Sequence, residues 1–542
     1  MKGFLGSEGF LDLIFDIRRV TPPTFSIGIS FAIKQISWKA DERSHESVPN
    51  WKPCENGMST DIWSITRPFD SVMTPKLESL GDFLQKHPNS DGRGIKIAIL
   101  DTGVDPKLEG MQVTTTGEPK LVNIFDCSGA GDVDCSHQVA SKDGIDVVGL
   151  TGRTLNVAAI KNLNNPSGKF YLGVKPIHEL YLKGLKATMD KERHTPNWES
   201  SSNLALANAR RALEEHEEEI GGKASDRKER LKREDLACRV DFLKDNIKKE
   251  DKGPVADVLM WNDGKSWKAL LDIFSTSFRR AIHLFEANWA CGTIDGDQLT
   301  YAFNIYPDEK KLEIVTACGS HGSHVASIAA ANYPNNPDLN GLAPGAKVIS
   351  ICIGDARLNA TETGTALTRA FKLCRDLDVD VINMSYGERV NFTDTGRVID
   401  ELKKLLEGGK TLFFSSAGNN GPALSSVGCP GGTTSGVIGV GALPLPNQLS
   451  QLYGTAMNVN KPAPFLWSSC GPSADGADGV SIYAPGVAFA EVPKYTRKCN
   501  QLMNGTSMRS PNAAGAVACL LSKLKEDKQN YSPYEIRFAL EQ

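Results

Sequence analysis

The sequence predicts an α/β fold: a mostly parallel sheet with helices on both faces, interrupted by a large α+β insertion. Short apolar runs of strand length alternate with segments whose apolar residues recur at helical spacing, which is the pattern of a covered parallel sheet. The runs end in glycine-rich junctions that carry Asp, His, Ser or Asn. Between about residues 106 and 315 this texture gives way to charged and hairpin-like segments. The regular part therefore surrounds an inserted one.

Composition narrows the function classes. The 542 residues are 40% hydrophobic and 23% charged, an ordinary globular balance with room for a large core. With 61 Lys+Arg against 65 Asp+Glu the formal net charge is −4, so neither nucleic acid nor an anionic membrane is expected as a partner. The 12 cysteines are scattered without a Cys-x-x-Cys pair, and Cys352, Cys374 and Cys519 lie in apolar runs. That usage reads as reduced, buried thiols in a cytoplasmic protein. The apolar stretch Phe10 to Ile17 is interrupted by Asp12 and Asp16, so no signal peptide and no membrane span is read. Residues 1–75, with Thr21-Pro22-Pro23 and Trp38, Trp51 and Trp63, receive no assignment; the main domain is expected over 76–542.

Order begins at the turn Asp91-Gly92-Arg93-Gly94, followed by Ile95 to Leu100, an apolar run suited to a buried parallel strand. It delivers Asp101-Thr102-Gly103, and the carboxyl end of such a strand is where open α/β sheets place their sites. Within the insertion Leu236, Val240, Leu243 and Ile247 recur at helical spacing among charges, predicting an amphipathic helix with a solvated face. Val255 to Trp261 and Ser266 to Ile273 flank Asn262-Asp263-Gly264 as a hairpin; Tyr301 to Ile305 and Leu312 to Val315 form another around Pro307-Asp308. The regular texture resumes at Gly319-Ser320-His321-Gly322-Ser323-His324, with a buried helix from Val325 onward. Strand Lys347 to Ile353 comes next, then a helix marked by Leu367, Ala370, Phe371, Cys374 and Leu377. Strand Val379 to Met384 ends in Ser385-Tyr386-Gly387-Glu388. A helix marked by Val398, Leu402, Leu405 and Leu406 precedes strand Thr411 to Phe414, which ends in Ala417-Gly418-Asn419.

The chemical centre is Asn504-Gly505-Thr506-Ser507-Met508-Arg509-Ser510-Pro511. A serine hydroxyl is a weak nucleophile until a turn exposes it and a neighbouring base takes its proton. Gly505 permits the turn. Ser510 and Pro511 read as the start of a helix, because proline is tolerated in a first turn; Ser507 then lies near the positive end of the helix dipole. His321 and His324, three apart, lack the further ligands of a zinc site, so one histidine is read as a base, and no metal or cofactor is expected.

Asp101, His321 and Ser507 follow one another in the chain order found in subtilisin. The strings Asp-Thr-Gly, His-Gly-x-His-Val-Ala and Gly-Thr-Ser-Met-x-Ser-Pro resemble the subtilase family of serine peptidases. That resemblance implies a subtilisin-like sheet, with Ser507 as nucleophile, His321 as general base and then acid, and Asp101 as the group that fixes the imidazole. It also implies Asn419 as the oxyanion-hole donor. Asp101 and His321 stand 220 residues apart, against about thirty in compact members. With Asp105-Pro106, the Cys429 to Thr434 string, Trp467-Ser468-Ser469 and Gln501 to Gly505, this spacing resembles the branch of the family that releases tripeptides from free N-termini. Peptides with a free amine are then the implied substrates, and the branch's two amine-binding glutamates fall on Glu362 and Glu388. The strand ending in Ser385, Tyr386 and Gly387 is expected to pair with the substrate backbone.

The chain departs from the family pattern in three residues. Arg509 stands where a small residue is usual, a cation opposing the dipole; Cys470 replaces an arginine, and Ser323 a threonine. Ser532 and Glu535 predict a capped last helix, while the family's long C-terminal region, which serves its homo-oligomers, is read as absent after Gln542. A scaffold with impaired catalysis and a subtilisin-like endopeptidase are the competing readings.

Overall fold

The computed structural model describes residues 78–141, 146–160, 163–189, 195–221, 226–247, 253–272, 282–283, 285, 289–294, 298–389, 393–444 and 464–542. Residues 1–75, left unassigned above, lie outside these. The main sheet has seven strands, here β1 (Lys96–Asp101), β2 (Leu121–Asp126), β3 (Lys347–Cys352), β4 (Val381–Met384), β5 (Leu412–Ser416), β6 (Val437–Leu443) and β7 (Ile482–Pro485). Their order is β2-β3-β1-β4-β5-β6-β7, and every neighbouring pair is parallel. This is the expected α/β architecture.

Alternation along β1 explains why the strand reads as a continuous apolar run. Ile97 and Ile99 enter one core with helices α1 (Ser320–Ala330) and α4 (Thr506–Glu526). Ala98 and Leu100 enter the other with α2 (Gly364–Asp376) and α3 (Arg397–Leu406). Successive side chains point to opposite faces, so a strand covered on both sides has no polar face to show. The two helices of the first core approach closely at Gly515, where a Cβ would lie 2.6 Å from the Ala329 carbonyl oxygen.

Two expected boundaries move. Strand β2 pairs with β3 in the main sheet, so residues 121–126 belong to the sheet and the chain leaves it only after Asp126, inside the stretch read as inserted from about 106. The inserted part builds a five-stranded and a four-stranded antiparallel sheet. The first contains the expected hairpin Val255–Asn262/Trp267–Asp272, the second the hairpin Leu299–Tyr306/Lys311–Thr316. Helices Thr195–Glu219 and Arg227–Ile247 pack on each other, and in the latter Val240 is buried while Leu236 and Leu243 are half-buried.

The second boundary is the start of α4, which begins at Thr506, five residues before Pro511. Proline is costly inside a helix because the carbonyl four residues earlier loses its donor. Here that carbonyl is Ser507 O, and the Ser385 hydroxyl donates to it at 2.8 Å. A side chain from β4's end replaces the missing backbone bond, which is how the helix can begin ahead of its proline.

Candidate active site

Asp101 ends β1 where the strand order reverses direction, the position at which open parallel sheets form a crevice. Its Oδ1 accepts the Thr102 backbone N–H and the His321 ring at Nδ1, each at 2.8 Å. Since a carboxylate can only accept, Nδ1 carries the proton and Nε2 is left as the basic nitrogen of the neutral ring. Asp101 is fully buried while 31% of the His321 side chain is exposed, so the pair is anchored from below and open above.

His321 lies in the first turn of α1. Thr102 fastens that turn: its hydroxyl donates to Gly319 O at 3.0 Å and accepts the Gly322 N–H at 3.0 Å. At Gly322 a Cβ would meet the Gly103 carbonyl oxygen at 2.5 Å and Asp101 Cβ at 3.1 Å, so only glycine lets the helix close on the strand end. Burial, the largest effect, pulls the His321 pKa down; the charge and hydrogen bond of Asp101 outweigh it, and the net position is above the usual histidine value. His324 is different. Its Nε2–H donates to Gln501 O and Ala488 O at 2.9 and 3.2 Å, and burial depresses its pKa to about 4. It is a neutral core histidine tying α1 to the hairpin Val487–Glu491/Asn500–Asn504.

Ser507 is the second residue of α4, half-buried, and its hydroxyl donates to the Ser385 carbonyl at 3.2 Å. The two serines are thus bonded reciprocally. Beneath them Ser510 Oγ donates to Asn383 Oδ1 at 2.6 Å, and Asn383 Nδ2 donates to Ser385 Oγ at 3.0 Å. Asn383 and Ser510 are fully buried. Sequence reasoning passed over this pair, although an asparagine inside the apolar run Val381-Ile382-Asn383-Met384 is itself a signal that a buried partner exists.

Asn419 is exposed beyond β5. Its Oδ1 accepts the Thr506 N–H at 2.9 Å and the Thr506 hydroxyl at 3.0 Å. Because the backbone group can only donate, the amide's orientation is fixed and Nδ2, with its two donors, faces the other way. Thr506 is therefore a further positioning group, adjacent to Ser507.

Tyr386 joins the two halves. Its ring stands edge-on to His321 at 6.0 Å between centroids, and its hydroxyl donates to Ala360 O at 3.2 Å. Gly387 and Glu388 are exposed, with Glu388 bridged to Cys429 by backbone bonds of 3.2 and 2.8 Å. Glu362 is half-buried on a short ribbon, opposite Gly354. Its carboxyl is raised above the usual glutamate range by burial, then by the nearby charges of Glu388 and Asp101. Arg509 is not the unsatisfied cation its position in the helix suggests. It is fully buried, lies over Phe465 and Trp467 at 4.7 and 5.0 Å, and donates to Gly505 O at 2.8 Å. Cys470 is half-buried, and its thiol faces Ser468 O at 3.6 Å.

Among the described residues no cluster of three or more His, Cys, Asp or Glu could hold a metal ion, and no helix is long and apolar enough to cross a membrane. The model of the subtilase family matches residues 92–542. Tripeptidyl-peptidase 2 of Caenorhabditis elegans is 49% identical over 483 residues, covering 88% of this chain and 35% of that protein. The Drosophila melanogaster tripeptidyl-peptidase 2 is 35% identical over 573 residues, 99% of this chain and 39% of the relative. A crystal structure of tripeptidyl peptidase 2 superposes with a TM-score of 0.60 at 32% identity, over 84% of this chain and 34% of the other. The chain thus spans little more than a third of these relatives' length, and over that span it belongs to the subtilase family of serine peptidases.

Proposed function

We propose that the chain is a serine exopeptidase that releases tripeptides from the free N-terminus of oligopeptides. Ser507 is the nucleophile, and rotation about its Cα–Cβ bond turns the hydroxyl from Ser385 O toward His321 Nε2, which takes the proton. Asp101 holds Nδ1–H and stabilises the imidazolium that forms. The oxyanion is met by Asn419 Nδ2 and by the N–H of Ser507, one of the first-turn donors a helix leaves without an internal partner. The imidazolium then returns its proton to the leaving amine, and water resolves the acyl-enzyme by the same route.

What supports the exopeptidase reading is that the ribbon carrying Glu362 is tied to the end of β4 by the Tyr386 hydroxyl on Ala360 O, which brings its carboxyl into the field of Glu388 and Asp101. Negative groups gathered beside the strand end favour a cationic occupant, which at the end of a peptide paired with that strand is its α-ammonium, and each charged hydrogen bond to it contributes about 1.5–3 kcal/mol. A tripeptide amide with a free amine should be cleaved much faster than its N-acetylated twin, and Glu388→Gln should narrow the gap; equal cleavage of the two by the parent would sink the amine assignment. A fluorophosphonate should label the parent and spare Ser507→Ala. Equal labelling of both would remove the nucleophile assignment.

A further inference from the structure

Cys318 and Cys352 sit at the joint of the candidate site without any part in the chemistry above. Their Sγ atoms are 3.9 Å apart, both thiols point at the Gly354 carbonyl oxygen at 3.5 Å, and both residues are buried. Cys318 immediately precedes Gly319, the cap of the helix that carries His321. Cys352 ends β3 directly opposite Asp101, and Gly354 pairs with Glu362. One small cavity is lined by both cysteines together with Asp126, Thr316 and Gly354, and offers about 10 Å³ to the centre of a water-sized molecule, room for one.

We propose that Cys318 and Cys352 are an oxidative modification site, a paired dithiol that a peroxide closes to a disulfide and that shifts the Asp101–His321 geometry when it closes. Cys318 sulfur attacks one oxygen of hydrogen peroxide; the S–O bond forms, the O–O bond breaks, and the first water leaves with the thiol proton. Cys352 sulfur then attacks the sulfenic sulfur; the S–S bond forms, the S–O bond breaks, and the departing hydroxide takes the Cys352 proton as the second water. Two thiols supply the two electrons that one peroxide consumes.

Closure brings the sulfurs from 3.9 Å to about 2.05 Å, a change shared between the residue three before His321 and the residue paired with Asp101. A misplacement of about 1 Å at a reacting centre costs on the order of 100-fold in rate. That part of the proposal rests on the peptidase reading; the cross-link does not.

The test treats the full chain with hydrogen peroxide, blocks remaining thiols with N-ethylmaleimide, and maps peptides by mass spectrometry. The expected result is a Cys318–Cys352 cross-link that dithiothreitol removes, with hydrolysis of a tripeptide amide falling by about 100-fold and returning on reduction. Cys352→Ser should lose the cross-link and keep its rate under peroxide. Recovery of both cysteines as blocked thiols in the treated parent overturns the proposal, as does cross-linking of either to a different cysteine. A cross-linked parent with an unchanged rate overturns the coupling to His321. A cross-link in a chain that hydrolyses no peptide supports the dithiol and removes the functional reading instead.

Discussion

The Asp101–His321 pair sets how the rate should follow pH. On the proposed mechanism the neutral ring is the base, and its pKa is raised, so protonation persists to higher pH than in a free histidine. kcat/KM should therefore rise through the neutral range with a midpoint above about 6.5; a profile already flat at pH 6 would contradict the role of His321. Arg509 yields a prediction opposite to the one its sequence position suggests. A cation in the first turns of a helix is unfavourable by dipole alone, yet this one stacks on Phe465 and Trp467 and holds Gly505 O. Arg509→Ser removes a charged hydrogen bond and a desolvated cation–π contact, partly offset by relief of a buried charge. A loss of about 2 kcal/mol in unfolding free energy is expected, read by denaturant titration; a stabilised variant would contradict it.

The junction of β4 and α4 shows why the elements were readable and one boundary was not. Apolar runs and helical spacing located β1, β3, β4 and β5 and the helices α2 and α3 to within a few residues, because each is covered on a whole face by the core. The start of α4 escaped because it depends on a side chain 122 residues away, Ser385, standing in for the donor that Pro511 lacks. Local preference could not anticipate that. Separation in sequence likewise hides the bonds of Asn383 and Thr506 and the ring partners of Arg509, whereas Asp101, His321 and Ser507, the residues proposed for the chemistry, stand out in glycine-rich strings. Asn383 supports Ser385 and Ser510 together, so Asn383→Ala should let the first turn of α4 drift. The expected outcome is a fall in kcat of at least tenfold with KM little changed, since only the position of Ser507 in the transition state is affected. A rise in KM with kcat preserved would assign Asn383 to substrate binding.

Across the whole chain, the inserted sheets meet the main sheet through buried carboxyls. Glu313 Oε1 accepts the Asp126 N–H at 2.9 Å and Asn304 Nδ2 at 2.8 Å. Burial, and then the Asp126 charge, still raise its pKa to about 7. With a folded pKa above the unfolded one of about 4.3, this group favours folding fully below the unfolded value. That contribution is lost as pH rises through about 7. Thermal stability should decline over that window by on the order of 3 kcal/mol from this residue, and Glu313→Gln should flatten the decline; an unchanged slope would place the pH dependence elsewhere. Just beside Glu313, the Ile314 N–H donates to the Gly131 carbonyl at 2.9 Å, so the chain departs for its long excursion and returns at one spot. A detour whose two ends already touch places little demand on the scaffold that carries it, because closure entropy grows only with the logarithm of loop length. The neck itself is enclosed, since Gly131 and Ile314 are both buried, so it is a seam between the two parts and not an exposed tip at which new termini are readily accepted. The excursion is nonetheless built into the scaffold, because Phe285 and Ala302 enter the main core and Asn304 holds the Ile124 carbonyl; a variant joined directly from Gly131 to Ile314 would ask how far the seven strands can stand without it.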